Sequence, residues 1–171
     1  MEAELDFIVF DDLLHAIENL ICAVIDILLA DSESTSYIKE LNPDFKALSR
    51  LFRRMPYAEA IIWLFDHGIQ TDDGKCHLFG DEIPLATERR LVNEIGVPIL
   101  LTHFPGHTMP FCMKKAVDDH VFVEGVHCLV PGMGEILGGG MRIENLEELL
   151  ESMRERKMDE TAYAFYTDQR M

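Results

Sequence analysis

The chain has 171 residues, 48% of them hydrophobic and 27% charged, which is enough for one real core and too little for several. Its formal net charge of −16 excludes a sequence-independent hold on nucleic acid, because no basic stripe could offset that field. Four widely spaced cysteines (Cys22, Cys76, Cys112, Cys128), without a CxxC among them, suit free thiols in a reducing compartment rather than a disulfide framework.

The acidic opening, with Glu2, Glu4, Asp6, Asp11 and Asp12, is the reverse of a basic leader. The uninterrupted apolar run at 20–25 is too short for a bilayer. No secretory or membrane segment is expected, and the cytoplasm is the expected compartment. Residues 5–10 read as an extended lead-in. Asp11 or Asp12 is expected to cap a helix whose Leu13, Leu14, Ile17, Leu20, Ile21, Val24, Ile25 and Leu28 form one broad apolar stripe. Residues 31–36 are expected to break it, and 37–55 to be loosely structured. There Arg50, Arg53 and Arg54 read as a solvated loop pairing with local acids.

Tyr57 to His67 reads as a second helix stopped by Gly68, 71–75 as a turn, and Pro84 as the start of a helix to about Ile95. Residues 97–104 form a buried-strand run and 111–113 an extended segment. Residues 121–130 and 133–143 read as antiparallel strands joined by a Pro-Gly turn. Asn145 with Glu148 three residues on is a capping box for a helix bearing Leu146, Leu149, Leu150 and Met153. A short helix at about 159–168 closes the order. The predicted fold class is α+β, with helices against a mostly antiparallel sheet.

The stretch PGMGEILGGGMRIEN, residues 131–145, is the oddest of the chain. It lacks the Lys of a P-loop and the GxGxxG spacing of a dinucleotide turn. One reading is a bulged strand whose glycines admit another backbone. Strict alternation puts Glu135 and Arg142 on opposite faces. A bulge within Gly138, Gly139 and Gly140 would shift the parity and bring carboxylate and guanidinium to one face, where they suit a metal-bound nucleotide at one end and a polar side chain at the other. Elsewhere, His103, His107, Cys112, His127 and Cys128 match no zinc-ligand spacing, and nothing orients a cysteine nucleophile against His107 or His127.

Residues 134–143, with Phe104 and Pro105 before them and residues 166–170 after, resemble the asparaginyl-tRNA synthetases. These are class II synthetases of the aspartyl/asparaginyl/lysyl subgroup. Residues 1–5, 11–14, 40–45, 57–61, 79–84 and 88–89 fit the same pattern, so the resemblance covers nearly the whole chain. It implies a partial class II catalytic domain over residues 1–171, without motif 1, most of motif 2, motif 3 and the anticodon-binding domain. It implies ATP-dependent activation of asparagine and its transfer to tRNA(Asn), with ATP and Mg2+ as cofactors. Glu135 then corresponds to the acidic ligand for magnesium and ATP, and Arg142 to the arginine at the side-chain end of the amino acid. The residue types suit those tasks, since a carboxylate holds a hard cation and a forked donor reads a small polar group.

The departures fall in the site. Where the family carries a Glu, a basic residue and a Tyr, this chain has His107, Met109 and Cys112. A second metal-side acid aligns with His127, a poor magnesium ligand, and the usual Ser of the glycine run is Gly140. The chain is therefore expected to be inactive by itself, with ATP and Mg2+ not tightly bound. The alternatives are a non-catalytic interaction module and a weak amino-acid binder working through Arg142. Expected partners are a second copy or a full-length synthetase, joined at an open sheet edge, with tRNA implied by the family only and no membrane.

Overall fold

The computed structural model describes residues 1–170, which fall into two compact units, Met1–Arg53 and Arg54 onward. In the first, α1 runs Phe10–Ala30. The Val9 N–H donates to Asp12 Oδ2 at 3.1 Å. Asp12 thus closes the first turn from inside, where the sequence had suggested Asp11 or Asp12 as the cap itself. Leu14, Ile17 and Cys22 are buried, while Leu20, Val24 and Leu28 of the expected stripe are exposed. Buried Glu18 accepts from the Leu51 and Phe52 N–H groups at 2.8 and 3.0 Å, which satisfies a carboxylate that burial would otherwise penalise.

With 21 residues and a mean hydropathy of 2.0 over its best window, α1 is long and apolar enough by length and composition to cross a membrane. That revises the expectation drawn from the six-residue run, although the bonds of Glu18 hold the middle of α1 to its own unit. The expected break at 31–36 is narrower than anticipated. Asp31 ends α1 and, accepting from the Ser34 N–H at 2.7 Å, caps α2 (Ser32–Leu41). Residues 32–41 are therefore helical, because an Asp serves as a helix cap as readily as a helix stop. Arg50 pairs with Asp26 at 2.9 Å, as a solvated loop should.

From its boundary at Arg53 onward the chain forms a four-stranded sheet in the order β1 (Arg53–Pro56), β2 (Ile99–Pro105), β3 (Phe122–Val130), β4 (Gly134–Gly140). The β2–β3 and β3–β4 pairs are antiparallel. Pro56 leads into α3 (Tyr57–Asp66) and Pro84 into α4 (Leu85–Ile95), where a ring that fixes φ and donates nothing is tolerated. Gly68 and Gly96, at φ of 64° and 76°, turn the chain out of the two helices. Leu91 and Val92 of α4 bury against Ile99, Leu101 and Leu129 on one face of the sheet, with Tyr57, Ala60 and Leu64 of α3 in the same core. Asn145 Oδ1 accepts from the Glu147 and Glu148 N–H groups to cap α5 (Leu146–Glu155). A second cluster, Cys112, Ile143, Leu149 and Met153, lies beneath α5. Residues 111–113 contribute only a bridge, Met113 to Arg142, instead of a strand. The close of the chain is a 3-10 turn, α6 (Ala164–Thr167) and another 3-10 turn.

Candidate active site

The floor of the site is the β3–β4 ladder. Gly125, Val126, His127 and Cys128 pair with Gly140, Gly139, Gly138 and Leu137, and Leu129 then pairs with Glu135. Ile136 is therefore the extra residue. The bulge expected within the glycines lies before them, since all three glycines stay in register with β3. Its consequence is the expected one. Paired residues share a face, so Glu135, Gly138 and Gly140 lie on the His127 side, and alternation returns Arg142 to it.

The glycines let side chains lie flat across this face. A Cβ at Gly138 would stand 2.6 Å from Glu135 Oε1, and one at Gly125 would stand 2.6 Å from Met109 Cε. One at Gly140 would meet Glu124 O and Met113 Sδ, both at 2.7 Å. No side chain fits there without displacing its neighbours.

Above the floor is a cavity of about 250 Å³ lined by Tyr57, Glu82, Glu88, Met109, His127 and Glu135, among others. Glu88 enters from α4 and is 1% exposed. Its Oε1 is 2.9 Å from His127 Nδ1, whereas its buried Oε2 has no hydrogen-bond partner among the described residues. The ring of Phe104 packs 4.4 Å from the imidazole, tilted by 40°. Burial pulls the His127 pKa down, but the hydrogen bond to Glu88 and the carboxylates of Glu88, Glu135 and Glu82 outweigh it. The net result is a pKa above its ordinary value. The Tyr57 hydroxyl accepts from the Gly80 N–H and donates to Asp81 O, and burial pushes its pKa up.

At the other end, Arg142 Nη1 donates to Cys112 Sγ at 2.9 Å. Arg170 lies 4.0 Å over the Tyr166 ring and donates to the Tyr166 hydroxyl at 2.7 Å. Burial raises the Tyr166 pKa and neighbouring Cys112 adds to the rise, with Arg170 and Arg142 opposing it.

The site residues expected from sequence are thus distributed unequally. Glu135 and His127 stand together, and Cys112 and Arg142 stand together. Met109 is buried over Gly125. His107 is drawn off to Gly80 O at 2.8 Å. The five His and Cys residues weighed as a zinc group are dispersed. His103 sits in the β2 bulge beside a second cavity with Asp118 and Glu124. Cys128 is buried on the opposite face of β3 from His127. Sequence reasoning gave Glu88 no role in the site. The signal was present, because Glu88 precedes Leu91 and Val92 by three and four residues and so lies on the apolar stripe of α4, where an acid needs a reason.

One donor atom each from Glu88, His127 and Glu135 lies within 4.8 Å of the others. This set does not fit the magnesium that the resemblance implies. Mg2+ demands near-octahedral oxygen ligation, and an imidazole stands where the second acid was expected.

Residues 1–171 match the family model described as tRNA synthetases class II (D, K and N). The human cytoplasmic asparagine–tRNA ligase is 44% identical over 170 residues, covering 99% of this chain and 31% of that protein. The asparaginyl-tRNA synthetase of Entamoeba histolytica, solved in complex with asparaginyl-adenylate, superposes with a TM-score of 0.92 at 41% identity, over 97% of this chain and 38% of that one. The Pyrococcus horikoshii asparaginyl-tRNA synthetase complexed with asparaginyl-adenylate gives 0.86 at 27% identity, over 96% and 37%. The chain therefore spans about 30% of the length of the curated relatives it matches.

Proposed function

The chain belongs to the class II tRNA synthetases (D, K and N), and on that footing we propose that it keeps the amino-acid end of an asparagine–tRNA ligase site and has lost the magnesium-holding character of the phosphate end. The observation that carries this is the His127–Glu88 pair at 2.9 Å, His127 being the residue found where the resemblance implies a second metal-side acid. Arg142 is the side-chain reader, its guanidinium a forked donor that suits the amide oxygen of asparagine. Glu135 is the remaining carboxylate of the phosphate end. Bound ATP would supply the electrophilic phosphorus. The attack on it by a carboxylate depends on neutralising phosphate charge, which a buried acid–imidazole pair facing Glu135 does not do. Adenylate formation by this chain alone is absent in this reading.

Its compartment is the cytoplasm, as in the names of its relatives. Its partners are a second copy or a full-length synthetase, with tRNA(Asn) belonging to the whole enzyme. The amino-acid half is tested by ligand-observed NMR with asparagine. One charged contact contributes about 1.5–3 kcal/mol, so binding is roughly millimolar at best, lost in Arg142→Ala and little changed in His107→Ala. Equal weak binding by wild type and Arg142→Ala overturns the assignment of Arg142.

A further inference from the structure

We propose that Glu88, His127 and Glu135 together bind one borderline transition cation, of which Zn2+ is the type, in preference to Mg2+. Three observations carry it. The donor atoms of the three residues already lie within 4.8 Å of one another. Around a single ion with ligand distances of about 2.0–2.2 Å, neighbouring donors stand roughly 3–3.5 Å apart, so modest side-chain rotation closes the set. The 2.9 Å between His127 Nδ1 and Glu88 Oε1 is already near that separation. When the ion enters, the hydrogen between them leaves to solvent and both lone pairs turn to the metal.

The second observation is Glu88 Oε2, a carboxylate oxygen buried without a hydrogen-bond partner among the described residues on a residue 1% exposed. A buried anionic oxygen left unpaired is costly, and a cation in this set satisfies it. The third is the mixture of donors. One imidazole and two carboxylates suit zinc and its neighbours, whereas an all-oxygen set suits magnesium. The cavity in front of the three residues leaves room for water in a fourth position, as in open three-ligand sites. This inference does not rest on the amino-acid reading. It is measured without asparagine or nucleotide, so either can fail alone.

The experiment titrates the metal-free full chain with Co2+, follows the visible d–d bands of the bound ion, and then displaces it with Zn2+ or Mg2+. One equivalent of Co2+ is expected to bind, to be displaced stoichiometrically by Zn2+, and to resist a large excess of Mg2+. Glu135→Gln and His127→Asn should each weaken Zn2+ at least about tenfold, while Cys76→Ser, at an exposed thiol, leaves it unchanged. Both variants are checked for an unaltered circular-dichroism spectrum. Glu135 is half-buried at the rim, and Asn keeps a donor for Glu88, so both retain the fold. Equal Zn2+ binding by wild type and both variants, displacement by Mg2+, or loss of binding in Cys76→Ser overturns the proposal.

Discussion

His127 Nδ1 lies 2.9 Å from Glu88 Oε1, joining a strand at the sheet centre to a carboxylate that α4 holds at 1% exposure. Removing one partner of such a pair strands the other. His127→Ala is expected to destabilise the second unit by about 3–5 kcal/mol, whereas replacing both residues with apolar side chains (Glu88→Met with His127→Leu) costs less than that single change. Denaturant unfolding followed by the lone Trp63 checks this. A His127→Ala loss under about 1 kcal/mol, the range of an exposed pair, would contradict it.

The glycines make a sharper case. Gly140→Ser installs the residue that the resemblance implies at this position, but here its Cβ would stand 2.7 Å from the Glu124 carbonyl and 3.1 Å from Gly125 Cα. Neither backbone atom can swing aside, so the cost is about 1–3 kcal/mol. Gly139→Ala meets nothing within 4 Å and should change stability by less than about 0.5 kcal/mol. Equal unfolding midpoints for the two variants would show that β4 is looser than described.

His103 makes the sheet acid-sensitive. Its φ is 57°, and Thr102, Asp118, Asp119 and Glu124 surround or approach it. Burial lowers its pKa below the ordinary 6.5, only partly opposed by Asp118. A base whose folded pKa is lowered favours the fold when neutral, so its contribution is complete above about 6.5 and is lost as pH falls below that value. Asn tolerates this left-handed backbone and does not titrate. The difference in stability between wild type and His103→Asn should therefore shift in favour of the variant between about pH 7 and 5. A difference independent of pH, measured by urea unfolding at several pH values, would remove His103 from the account.

At its outer edge the sheet presents β4, whose Gly138, Gly139 and Gly140 carry no side chain to block another strand. A terminal strand of this kind can template strand addition beyond the bulge at Ile136. Sedimentation velocity on the purified chain should show a coefficient that rises with concentration. A sharp, concentration-independent monomer would contradict this.

Much of the architecture is legible in the sequence because the signals are local. Pro84 and Gly96 bracket α4, Pro56 and Gly68 bracket α3, and Asn145 starts α5. The pairing of β3 with β4 follows from two apolar runs around a Pro-Gly turn. What was not legible depends on distant partners. Asp31 reads as a stop and acts as a stop and a start. The bulge lies at Ile136 because the glycines must face Met109, Met113 and Glu135, which no local pattern records. Glu88 becomes a site residue only when α4 lies across β3, 39 residues away in sequence. The resemblance singles out Glu135 and Arg142; Glu135 lines the cavity with His127 and Glu88, and Arg142 stands beside Cys112.

The most direct test of the account is asparagine-dependent exchange of pyrophosphate into ATP by the purified chain in the presence of Mg2+. The expected result is no exchange above blank, because on the proposed reading His127 replaces a magnesium-side acid, and an imidazole beside Glu88 and Glu135 is a poor substitute for oxygen ligands to Mg2+. Exchange clearly above blank, abolished in Glu135→Ala, would contradict the account.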